Sequence, residues 1–192
     1  APHGETGRSF PKRTLGCTIF KPEEDTAMDT HDMPLTAPEN LSQRLALAVS
    51  TLGPIGHLPK APGTWGALAA TLAAPIVFLP LSLPLRLLVL VAIFHLGSMA
   101  AGSAEKSLGR KDPGQVIIDE LLGQWAVLLP FTLLPWWQLL IGFALFRFFD
   151  IVKPWPVRAS ETWLAQGYGV MLDDLFAGLY GALGLAVVRF LV

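Results

Sequence analysis

Charge is what this chain has least of. Only 15% of its 192 residues are Asp, Glu, Lys or Arg, where a soluble domain carries about 25%. The few charges nearly cancel, with 14 basic against 15 acidic residues and a net charge of −1. No basic excess marks a nucleic-acid partner. Cysteine is almost absent too. Cys17 stands alone, which excludes an internal disulfide framework. No arginine signature follows it, so a cysteine phosphatase is excluded as well. The four histidines, His3, His31, His57 and His95, are too scattered to form a zinc set. No Walker-type loop implies ATP. No Asp-x-Asp offers a phosphoaspartate site. The start carries no n-region, h-region and cleavage-site pattern, so no signal peptide is expected.

What the chain has instead is apolar sequence. It is 52% hydrophobic, with a mean hydropathy of +0.50. Residues 1–40 stand apart, because they hold five prolines and an acidic run of Glu23, Glu24, Asp25, Asp29 and Asp32 without apolar periodicity. They read as a disordered acidic extension. Residues 41–192 read as one membrane-embedded domain. It opens with an amphipathic helix from Asn40, whose stripe of Leu41, Leu45, Ala48, Val49 and Leu52 suits either the membrane surface or the domain.

Apolar stretches then run over Trp65–Leu79, Leu85–Ala101, Leu121–Phe146 and Leu175–Val192. The fold class expected is all-α, a small integral-membrane bundle of four to five membrane helices. Leu121–Phe146 is long for one spanning helix, which needs about 20 residues. Pro135 pushes its preceding residue out of helical geometry, and Trp136 and Trp137 suit an interface belt. The stretch therefore reads as two helices, the first starting near Pro113. The competing reading is a soluble, very apolar helical bundle.

With five crossings, the Pro62–Thr64 turn, the 103–114 loop and the 150–170 loop share one side. The turns at Pro80–Pro84 and Pro135 share the other. The first side holds Lys60, Lys106, Arg110, Lys111, Lys153 and Arg158, the second Arg86 and Arg189. The positive-inside rule places the first side in the cytoplasm.

The polar motifs gather on that side. Lys60 precedes Pro62-Gly63-Thr64, where Thr64 is either a plain N-cap or part of a phosphate cradle at a helix N-terminus. Asp112-Pro113-Gly114-Gln115 reads as a capping arrangement, with Asp112 structural. Asp119 and Glu120 fall one to two turns below that start, too deep for a cap. Arg147 and Asp150, three apart, can pair, and Lys153-Pro154-Trp155-Pro156 stops the helix. Asp173 and Asp174 are either helix-dipole acids or ligands. Together, Asp119, Glu120, Asp150, Asp173 and Asp174 beside Arg147, Lys153 and Arg158 suit Mg²⁺ and a phosphate. Polar residues gathered at one mouth of an apolar body point to an enzyme acting on a lipid headgroup. A small transporter would instead spread its acids through the depth of the bundle.

Four ordered motifs, APGTWG at 61–66, VIIDELLGQW at 116–125, FRFFDIVKPWPVR at 146–158 and GVMLDDLFAG at 169–178, make the chain resemble the phosphatidylglycerophosphatase A family from about Leu52 to Gly184. Ala67 departs from the pattern, standing where serine is expected. The resemblance implies a Mg²⁺-dependent enzyme of the bacterial inner membrane that removes the terminal phosphate from phosphatidylglycerophosphate. Asp119, Glu120, Asp173 and Asp174 would then be catalytic, with Asp150 joining them around the metal. Lys60, Thr64, Arg147, Lys153 and Arg158 would hold the substrate. A phosphatase for another lipid phosphate, such as phosphatidic acid, shares the same chemistry.

Overall fold

The computed structural model describes residues 41–109, 113–164 and 167–192. The 1–40 extension and the capping reading of Asp112 lie outside the described residues. Seven α-helices make up the described chain: α1 (Leu41–Ser50), α2 (Pro62–Val77), α3 (Leu83–Leu108), α4 (Ile118–Leu128), α5 (Trp136–Val152), α6 (Val157–Ser160) and α7 (Gly167–Leu191). The all-α expectation holds. The break at Pro135 holds as well, with Pro135 preceding the first residue of α5 in extended geometry.

Helix starts differ from the sequence reading in two places. Ala61, not Thr64, is the N-cap of α2, and it takes a left-handed conformation (φ 48°). Pro62 supplies the pre-set φ of a first helical residue, which moves Thr64 to the third. Further on, α4 begins at Ile118 rather than near Pro113. The Val116 N–H closes a turn onto Pro113 O, and the Ile117 N–H donates to Ser50 O at 2.8 Å. That tertiary hydrogen bond commits the segment to α1 and delays the helix.

At one end of the bundle sits Arg86, almost fully buried. Its guanidinium donates to the carbonyls of Leu79, Leu81, Leu129 and Phe131. It thereby ties the turn after α2 to the turn after α4. Arg189 on α7 donates to Leu133 O at 2.9 Å and to Gln138 Oε1 at 3.3 Å at the same end. The two turns assigned to one side by counting crossings do share an end. Sequence reasoning saw these cations only as topology markers; Arg86 is a clamp on backbone carbonyls between helices, and Arg189 ties Leu133 O and the Gln138 side chain to α7.

Spanning length is reached by fewer helices than expected. Leu83–Lys106 in α3 and Gly167–Leu191 in α7 are long and apolar enough to cross a membrane. By contrast, α4 has 11 residues, a rise of about 16 Å, and α2 and α5 have 16 and 17. The late start at Ile118 corrects the expected start near Pro113 and leaves this helix short of spanning length. Only 39% and 44% of the two long apolar windows are buried. Leu88, Val91, Leu96, Met99, Leu183 and Val187 are exposed on them. A soluble core helix would hide such residues.

Candidate active site

The opposite end of the bundle collects the acids. The start of α4 puts Asp119 and Glu120 in its first turn, where the helix dipole favours negative charge. The expected deeper position is therefore not found. The reverse holds on α7, where at least six helical residues precede Asp173 and Asp174. The dipole reading fails for that pair, which is buried all the same.

Two glycines let α7 approach α4. A Cβ on Gly123 would come 2.7 Å from Asp174 O, and one on Gly178 would overlap Gly123 O. This close crossing carries Asp174 to the head of α4. Asp119, Glu120 and Asp174 each offer a carboxylate oxygen within 4.8 Å of the others. Glu120 Oε2 and Asp174 Oδ2 are buried and have no hydrogen-bond partner among the described residues. Three carboxylates this close, out of water, call for positive charge between them. The donor set, hard oxygens only, fits a small divalent cation such as Mg²⁺.

Arg147, near the end of α5, supplies one nearby positive charge. Its Nη1 lies 2.7 Å from Asp150 Oδ2 and 3.8 Å from Glu120 Oε1. These are ion-pair distances, yet Arg147 Nε and Nη1 make no directed hydrogen bond to any described residue. The N-terminus of α2 closes the group. A Cβ on Gly63 would overlap Glu120 Oε1 and come 3.5 Å from Arg147 Nη1. Gly63 is the second residue of the helix, so its N–H has no acceptor within it. The PGT turn is thus brought against the acids, and Gly63 rather than Thr64 makes the approach.

Asp173 points elsewhere. Lys153 caps α5 in a left-handed conformation (φ 46°) before Pro154. Its Nζ lies 2.5 Å from Asp173 Oδ2 and also pairs with Glu161. Burial works against its charge, but the hydrogen bonds and charges of Asp173 and Glu161 outweigh that and hold its pKa above the usual lysine range. Tyr180 Oη donates to Trp155 O at 3.1 Å and stacks on Phe149, fixing the segment against α7. Glu161 went unnoticed in the sequence because nothing in its flanks sets it apart. Lys60 and Arg158 are exposed and Thr64 half-buried. Among the described residues, none of the three makes an ion pair or side-chain hydrogen bond to the triad.

Fold and site together define an all-helical protein, packed closely through glycines, with two helices long and apolar enough to cross a membrane and a carboxylate triad beside an arginine and a helix N-terminus. A family model described as phosphatidylglycerophosphatase A matches residues 48–189, and the chain belongs to that family. It is 36% identical over 135 residues to a phosphatidylglycerophosphatase A of Haemophilus influenzae, covering 70% of this chain and 83% of the relative. The corresponding protein of Escherichia coli is 35% identical over 129 residues, covering 66% and 73%. A Bacteroides thetaiotaomicron protein, provisionally named a phosphatidylinositol-3-phosphatase, is 39% identical over 147 residues, covering 71% and 89%. No solved structure matches the chain.

Proposed function

We propose that this chain hydrolyses the terminal phosphate of phosphatidylglycerophosphate to give phosphatidylglycerol, and that Asp119, Glu120 and Asp174 hold the Mg²⁺ it requires. The observation that carries this is the meeting of three buried carboxylates with Arg147 and Gly63 at one end of an apolar bundle. A Mg²⁺ ion bound there would polarise the phosphoryl group and offset its charge. Arg147 has donors to spare for a phosphate oxygen, and its planar fork suits one. The Gly63 N–H at the head of α2 offers a second contact, favoured by the helix dipole. Asp150 orients Arg147. Asp173 holds Lys153, whose charge adds to the field that draws an anionic headgroup.

The acyl chains stay in the bilayer. Helices α3 and α7 cross it, while the shorter α2, α4 and α5 complete the bundle. The exposed Trp136, which opens α5, and Trp155, three residues beyond its end, suit the two interfaces. The acid end faces the cytoplasm of a bacterial inner membrane, by the excess of lysine and arginine in its loops.

A second reading, hydrolysis of another lipid phosphomonoester, is favoured by the Bacteroides relative's provisional name, since the triad recognises phosphate and not the alcohol. Phosphate release by the purified chain from phosphatidylglycerophosphate, phosphatidic acid and phosphatidylinositol 3-phosphate separates the two. Fastest release is expected from the first. Faster turnover of either other lipid would replace the proposed substrate.

A further inference from the structure

Gln124 is fully buried on α4, and neither atom of its carboxamide has a hydrogen-bond partner among the described residues. Buried polar groups are almost always paired, so a carboxamide that pairs with none of the described residues points to a ligand. Its place on the helix says where that partner sits. Gln124 follows Glu120 by four residues, on the same face and one turn deeper. Above it, Glu120 meets Gly63 of α2 and Arg147 of α5. Below it, Leu128 packs against Gly142 of α5. The neighbours on α4 are taken: Gly123 faces α7 and Phe146, while Trp125 donates from Nε1 to Ala70 O of α2 at 3.0 Å. Gln124 therefore occupies the seam between α2 and α5, directly beneath the mouth.

We infer that Gln124 is a specificity residue that binds the alcohol part of the headgroup, a free hydroxyl next to the phosphate being cleaved. This rests on the lipid phosphatase reading above. With the phosphate at Glu120, Arg147 and Gly63, the next atoms of the headgroup lie one helical turn toward the bilayer, about 5 Å away. A carboxamide both donates and accepts, so it can take a hydroxyl proton on Oε1 and offer Nε2 to an adjacent oxygen. A site built to pair with a hydroxyl discriminates against the analogue that lacks it, because the protein group is then left unpaired.

The test compares phosphatidylglycerophosphate with an analogue carrying propane-1,3-diol in place of the terminal glycerol, using wild type and Gln124→Met. Wild-type kcat/KM is expected to favour the natural lipid by roughly tenfold. In Gln124→Met the preference should fall to about unity through loss on the natural lipid, with a melting temperature equal to or above wild type. The preference surviving in the variant overturns the inference, as does an equal loss on both lipids. Failure of Gln124→Met to fold overturns it too, since a carboxamide without partners should be replaceable by methionine. The wild-type rate on the natural lipid tests the phosphatase reading separately from this ratio.

Discussion

Lys153 Nζ lies 2.5 Å from Asp173 Oδ2, and that contact separates two acids adjacent in sequence. Asp173 is drawn to the end of α5, while Asp174 turns to the head of α4 and joins Asp119 and Glu120. The two carboxylates therefore have different partners, and their variants should behave differently. Asp174→Asn and Asp119→Asn are expected to lower turnover by roughly a hundredfold or more, through loss of a ligand whose effect is worth several kcal/mol. Asp173→Asn should retain more activity than either. Phosphate-release kinetics on the three purified variants decide this; a Asp173→Asn protein as dead as Asp174→Asn contradicts it.

The same contact predicts non-additivity. Lys153→Met leaves the buried Asp173 without its counter-charge, so it should destabilise the protein more than the double variant Lys153→Met/Asp173→Asn. A coupling of about 1–3 kcal/mol is expected from a denaturation cycle on the four proteins. Additive effects would mean that the pair is not formed.

Gly63 offers a sharper geometric test. A methyl group there overlaps Glu120 Oε1, whereas one on Gly114 meets nothing within 4 Å. Gly63→Ala should cost most of the activity with little change in melting temperature, and Gly114→Ala should be close to wild type. Equal activity in the two variants would remove the head of α2 from the site.

At the far end, Arg86→Met strands the carbonyls of Leu79, Leu81, Leu129 and Phe131. The loss should be on the order of 3 kcal/mol of stability. Arg86→Lys should recover little of it, because an ammonium lacks the planar fork. Thermal melting in detergent measures both, and an unchanged midpoint in Arg86→Met contradicts the clamp.

Much of this arrangement was legible in the sequence. Prolines and acids marked the helix breaks and the polar motifs, and crossing parity put the motifs at one end. Local signals misled where tertiary contacts won. Asp112-Pro113-Gly114-Gln115 looks like a helix start, but the hydrogen bond from Ile117 N–H to Ser50 O postpones α4 to Ile118. Thr64 looks like an N-cap, yet Ala61 takes that role in a left-handed conformation that no propensity for alanine foretells. The parting of Asp173 from Asp174 was not legible, since it depends on where the end of α5 lands. Nor was the Arg86 clamp, because a lone arginine in an apolar run shows its charge but not the carbonyls it will meet.

In the proposed function, the triad of Asp119, Glu120 and Asp174 works on phosphatidylglycerophosphate through a divalent cation. The most direct measurement is phosphate release from that lipid by the purified chain, first as prepared, then after EDTA, then with Mg²⁺ restored. Activity should disappear with EDTA and return with Mg²⁺ in wild type but not in Asp174→Asn. Undiminished release in EDTA would contradict it.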